Sequence, residues 1–265
     1  MKNLYNLDYK EVLGLRTDDP KTNDPTYRHW WETLEMIPLF ISYPRTGAHW
    51  ISAVIELYFD VPRLPIQRAT FLDPSRRDYV WFHDHDTIAW DKLHLHSRSD
   101  RFSTTGKVLY LYRDPVDTAF SWIVYNFNQG LSLNFMDPER LDDLVVAVSL
   151  QYRDHLTKWL VEYTSLVPRK TVGIRYENFK KDPITEFQKI MEYWEQSDAY
   201  NPELAQSCFD IVTPEALTKR RTEPNTLSDF MLTDEYKKER SAFREKYEDQ
   251  IYSIVLTAKL KGFFE

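Results

Sequence analysis

The chain of 265 residues contains a single cysteine, Cys208. No intramolecular disulfide can form, and a lone thiol fits a reducing, cytoplasmic setting. No stretch reaches the roughly 18 consecutive apolar residues that a membrane span needs. The opening MKNLYNLDYKEVLGL lacks the basic-then-apolar layout of a secretory leader. Basic charge is not in excess either: 34 Lys and Arg stand against 41 Asp and Glu, a net charge of −7. A chain of that sign does not attract polyanions, so nucleic acid is not an expected partner, and any anion site must be local. Internal repeats and low-complexity linkers are absent. What is present is 42% hydrophobic and 15% aromatic residues. At this length about three-quarters of the extended-chain surface can be buried. One domain over 1–265 is expected, with the turn-rich 1–29 as an arm or lid and 220–265 as a C-terminal helical cover.

The most informative stretch is IPLFISYPRTGAHWISAVIELYF, from Ile37 to Phe59. A short apolar run ends at Ser42-Tyr43-Pro44, a basic turn Arg45-Thr46-Gly47 follows, and apolar residues then return at helical spacing (Trp50, Ile51, Val54, Ile55, Tyr58). This predicts a buried strand, a loop and an amphipathic helix. The first amides of such a helix have no carbonyl of their own helix to bond, and the helix dipole favours an anion there. Arg45 adds a full charge, and Thr46 and His49 add donors. A phosphate cradle is the reading. It differs from the nucleotide triphosphate loop, because no Gly-Lys-Ser/Thr follows.

Further along, Tyr79-Val80-Trp81-Phe82 reads as a strand running into His83-Asp84-His85-Asp86, beyond a connection from Val61 to Arg77. Lys107 to Tyr112 is the clearest strand and ends at Arg113-Asp114-Pro115. Proline favours the first helical position, so a helix is expected over Val116–Asn126. A long helix is expected over about Arg140–Tyr163, and a strand over Lys170–Arg175. Further helices are expected over Ile184–Glu195, Pro202–Ile211 and Pro214–Lys219, with a charged surface helix over Asp234–Leu260. Strands alternating with helices predict an α/β fold with a mostly parallel central sheet flanked by helices. Ligands of such sheets sit at the carboxyl ends of the strands.

The octet Tyr43-Pro44-Arg45-Thr46-Gly47-Ala48-His49-Trp50 resembles the 5′-phosphosulfate loop of sulfotransferases, commonly YPKSGTTW. Tyr110 to Trp122 resembles their 3′-phosphate segment, Y-x-x-R-[ND]-P-x-D-x-x-x-S, with Arg113 at the strand end and Ser121 eight residues on. Ile174 to Pro183 is similar to the segment whose tyrosine, here Tyr176, approaches the adenosine. The resemblance runs in order over about residues 37–190. It implies a P-loop NTPase-like sulfotransferase fold. It also implies 3′-phosphoadenosine 5′-phosphosulfate (PAPS) as donor, 3′-phosphoadenosine 5′-phosphate (PAP) as product, no required metal and a small-molecule acceptor.

Carried over by residue, the resemblance gives Arg45, Thr46, Gly47, Ala48 and His49 to the 5′-phosphosulfate and Trp50 to the adenine. It gives Arg113 and Ser121 to the 3′-phosphate. Arg45 stands where many relatives have lysine; arginine does not give up a proton, so its part is electrostatic. The family's closing RKGxxGDWKxxF loop is missing. Lys219, Arg220 and Arg221 are either its substitute or a solvated charge run. The family base is a histidine after the second strand, which points to His85 or His83, with Asp84 or Asp86 orienting the ring; His94 or His96 is the other candidate. Two other functions fit the strand–loop–helix pattern: a P-loop kinase and a non-catalytic binder of a phosphonucleotide or glycan.

Overall fold

The computed structural model describes residues 39–59, 64–65, 82–84, 108–128, 131–162, 171–194, 197–213, 216, 230–231 and 233–265. They form two compact units. One is built from the described parts of Arg16–Tyr112 and Glu162–Thr213, the other from Arg113–Val161 and the described part of Pro214–Glu265.

The first unit holds a five-stranded sheet. Its strands are β1 (Leu39–Ser42), β2 (Leu64–Pro65), β3 (Phe82–Asp84), β4 (Val108–Tyr112) and β5 (Thr171–Arg175), in the order β2-β3-β1-β4-β5. Every neighbouring pair is parallel, so all carboxyl ends lie along one edge. The interior strand β4, VLYLY, is buried at all five positions, as a strand covered on both faces should be. Tyr112 pairs with Arg175 at the ends of β4 and β5. Its phenol is pushed up to about 12, chiefly by burial, against the opposing pull of the Arg175 charge.

Four of the described helices belong to this unit: α1 (Ala48–Phe59), α4 (Tyr176–Lys181), α5 (Pro183–Tyr193) and α6 (Pro202–Ile211). Aromatic rings lock them together. Phe187 of α5 lies 5.0 Å from Tyr58 of α1 and 5.8 Å from Phe209 of α6, which meets Phe179 of α4 at 5.5 Å. Such pairs add about 0.5–1.5 kcal/mol each beyond area burial. The Tyr58 hydroxyl also accepts from the amide of Asn201, the residue that caps α6.

The described part of the second unit is built around three α-helices, α2 (Pro115–Phe127), α3 (Pro138–Leu156) and α7 (Asp234–Val255). α3 runs on as a π-helical segment, Thr157–Glu162. Phe120 of α2 packs against Tyr236 and Phe243 of α7 at 5.1 and 5.3 Å. Val146 and Leu150 of α3 cluster with Ile254 of α7. Four of the described helices begin on an Asp-Pro or Asn-Pro pair, at Asp114, Asp137, Asp182 and Asn201. In each, the side chain accepts an otherwise orphaned amide of the first turn, and proline fills a position whose missing N–H costs nothing.

The α/β expectation holds, with several corrections. Of the strand expected over Tyr79–Phe82 only Phe82 lies among the described residues, and the strand there continues through Asp84, past the expected end. The connection from Val61 to Arg77 contains the two-residue β2. α7 is not simply a surface helix: Tyr236, Phe243, Tyr247, Ile251, Ile254 and Val255 are buried, and it ends at Val255 rather than Leu260. Residues 1–29 and the helix expected over Pro214–Lys219 lie outside the described residues, apart from Ala216.

Candidate active site

In the sheet unit, β1 feeds a tight turn at the carboxyl edge. Thr46 is fully buried, and its hydroxyl donates to the Tyr43 carbonyl at 2.8 Å, closing the turn. Arg45 has φ 68° and Gly47 φ 98°. A left-handed arginine costs about 1–2 kcal/mol of backbone energy, so the turn is held against strain. Helix α1 starts at once, at Ala48, with Trp50 N–H bonding the Gly47 carbonyl at 3.1 Å. The amides at the start of α1 are suited to an anion for the reason given by helix geometry. His49 is exposed on the first turn, and Arg45 is half-buried.

Gly47 is a contact position as well as a turn. A β-carbon there would stand 2.3 Å from Cε2 and 2.4 Å from Cδ2 of Tyr176. Tyr176, the first residue of α4, follows directly on β5. Trp50 meets its ring edge-on at 6.0 Å. The Trp50 indole N–H donates to the Val212 carbonyl at 2.6 Å, and the ring also meets Phe179 and Phe209 at 5.8 and 5.9 Å. Within this unit, then, Gly47, Trp50 and Tyr176 come together, and Trp50 also serves the core.

In the helix unit, Arg113 precedes α2, which Asp114 caps and whose first turn carries Asp117. Tyr152 of α3 fixes the Arg113 backbone twice: its hydroxyl accepts from the Arg113 N–H at 3.0 Å and donates to the Arg113 carbonyl at 2.8 Å. The Arg113 side chain pairs with Asp117 at 3.5 Å. Asp117 also receives both Nε (2.8 Å) and Nη2 of Arg240 and, at 3.1 Å, Nη2 of Arg244. Burial works to raise the Asp117 carboxyl, but the Arg240 hydrogen bonds and the Arg113 charge outweigh it and hold it below the usual carboxylate range. Asp114 accepts from Arg244 at 2.6 Å and from the Tyr252 hydroxyl at 2.7 Å. That phenol is pushed up to about 12 by burial and by the Asp114 carboxylate. Ser121 is buried one helical turn beyond Asp117.

Arg113, just before α2, is thus in line at four-residue spacing with Asp117 and Ser121 of α2, and Arg240 and Arg244 of α7 are brought against Asp117. The sequence reading missed both of these arginines and Tyr152. Two acidic residues at the start of α2 signal a need for cations, but which helix supplies them depends on tertiary packing. His83 is the middle residue of β3, near the carboxyl edge of the sheet. His85, Asp86, His94, His96, Lys219, Arg220 and Arg221 lie outside the described residues. Among the described residues no group of three His, Cys, Asp or Glu could hold a metal ion. No helix among them is long and apolar enough to cross a membrane.

The sheet unit therefore carries helix amides and Arg45 at one turn, a donor set suited to an anion, and the helix unit gathers Arg113, Arg240 and Arg244 around Asp114 and Asp117. The crystal structure of mouse sulfotransferase SULT7A1 complexed with PAP is similar in fold, with a TM-score of 0.55 at 17% identity, covering 83% of this chain and 87% of that one. The family model of the sulfotransferase domain matches residues 38–251, most of the chain and parts of both units. The chain belongs to the sulfotransferase family.

Proposed function

We propose that this enzyme transfers a sulfuryl group from PAPS to a hydroxyl, or to an amine or amide nitrogen, of a small-molecule acceptor. The observation that carries the reading is the turn between β1 and α1, where a strained Arg45 and the first amides of α1 share the carboxyl edge of the sheet. PAPS supplies a sulfur that leaves the 5′-phosphate oxygen as the acceptor oxygen or nitrogen bonds to it, PAP being released. Arg45, Thr46, Gly47, Ala48 and His49 bind the phosphosulfate end. Arg45 and the helix amides stabilise the negative charge that gathers on the departing phosphate, the kind of contribution that preorganised donors make best. Arg113 and Ser121 bind the 3′-phosphate, and Trp50 and Tyr176 flank the adenosine. His85 or His83 accepts the acceptor's proton as the new bond forms. Lys219, Arg220 and Arg221 remain candidates for closing over the cofactor. The family match runs across both units, which supports treating 1–265 as one sulfotransferase domain.

Calorimetric titration with PAP, and separately with ATP and magnesium, tests the reading. Micromolar PAP binding that Arg113→Ala weakens strongly is expected. Magnesium-dependent binding of ATP with none of PAP would overturn it in favour of a kinase. PAP binding with no transfer to any acceptor would favour a non-catalytic relative.

A further inference from the structure

An arginine that must hold a phosphate gains little if a carboxylate beside it already neutralises it. Arg113 is in that position. Its guanidinium faces Asp117, and Asp114, the cap of α2, is its neighbour in sequence. Left to themselves, one cation and two carboxylates would repel a phosphate dianion. α7 adds two arginines and Glu248, which sets three cations against three carboxylates and removes that net repulsion. Arg244 is committed to carboxylates on every side: Asp114, Asp117 and Glu248. Arg240 is used differently. Its Nε and Nη2 form a fork on the two oxygens of Asp117. Its third nitrogen, Nη1, makes no hydrogen bond or ion pair among the described residues, and 44% of its side chain is exposed.

Arg113 and Arg240 both reach the same oxygen of Asp117, Oδ2. Two guanidiniums that meet at one carboxylate oxygen stand close enough for one phosphate to accept from both, since a guanidinium offers five donors in a fixed fork. Ser121 lies one turn beyond Asp117 along α2. We propose that Arg240 is a specificity-determining residue for the 3′-phosphate, drawing the Asp117 charge away from Arg113 and donating to the phosphate beside Arg113 and Ser121. Arg240 thereby does part of what the missing RKG loop would do, from a helix rather than a loop. Arg244 is a positioning residue that neutralises Asp114 and holds α7 in place.

The inference rests on PAPS as the donor, and the test separates the two. PAP and adenosine 5′-monophosphate differ only in the 3′-phosphate, so the ratio of their affinities isolates that group. Both are measured by competition titration on the full chain, wild type and Arg240→Gln, with folding checked by circular dichroism. Arg240→Gln is expected to lower PAP affinity about tenfold or more, the usual weight of a charge-assisted hydrogen bond, and to change affinity for the monophosphate less than about twofold on the same scale. Arg240→Lys, which keeps the charge but not the fork, should lose a smaller part of PAP affinity and carries the test if Arg240→Gln does not fold. Equal loss of both ligands, or unchanged PAP affinity in both variants, overturns the role of Arg240 alone. A wild type that does not prefer PAP to the monophosphate overturns the PAPS reading with it.

Discussion

Gly47 and Tyr176 exclude any side chain between them: a β-carbon on Gly47 would lie 2.3 Å from the tyrosine ring. The φ of 98° at Gly47 adds backbone strain to the overlap. Gly47→Ala is therefore expected to destabilise the chain by about 1–3 kcal/mol. Adding Tyr176→Ala should recover part of that loss, because the second change removes the overlap while the backbone strain stays. Chemical denaturation of the two single variants and the double variant gives the coupling energy. Strict additivity would show that the ring yields to the new methyl at no cost.

Arg45 separates stability from activity. It sits in the left-handed region, which glycine occupies without the steric cost that arginine meets. Arg45→Gly should keep unfolding stability within about 1 kcal/mol of the wild type, since relieved strain and added unfolded-state freedom oppose each other. Its kcat for sulfuryl transfer should fall about 100- to 1,000-fold, as for removal of one preorganised donor. A variant equally active, or one that unfolds, would deny Arg45 that role.

Asp117 should leave a mark in the pH dependence of stability. Its folded carboxyl is held below the ordinary value by the Arg240 hydrogen bonds and the Arg113 charge, against the opposing effect of burial. A depressed carboxylate contributes stability above its unfolded pKa of about 3.9 and loses it as pH falls through the folded value. Asp117→Asn should therefore be less stable than wild type at pH 7 by about 1–2 kcal/mol, a modest figure because both arginines are partly exposed. That gap should close as the pH is taken below about 4. Urea midpoints measured from pH 7 to pH 3 test this, and a gap constant with pH would contradict it.

The parts of the chain that local chemistry dictates are legible in the order of the residues. The strand, turn and helix around Arg45 follow from a change in apolar spacing, and α2 and α6 from the Asp114-Pro115 and Asn201-Pro202 starts. α6 begins and ends where expected, at Pro202 and Ile211. β2 escapes because two residues carry no periodicity. The buried face of α7 escapes because Tyr236, Phe243 and Tyr247 are thinly spread among charges that dominate the pattern. Arg240 and Arg244 look like two more of those charges. Only the packing of α7 against α2 distinguishes them, and packing between distant segments is not written in the spacing of either one.

The Tyr152 hydroxyl holds Arg113 by its main-chain N–H and carbonyl. It is blind to which side chain stands at position 113. Selection can therefore exchange that side chain and reshape what the site recognises while the frame beneath it stays intact. Position 113 is a place where this fold can evolve a new ligand without first having to evolve a new backbone.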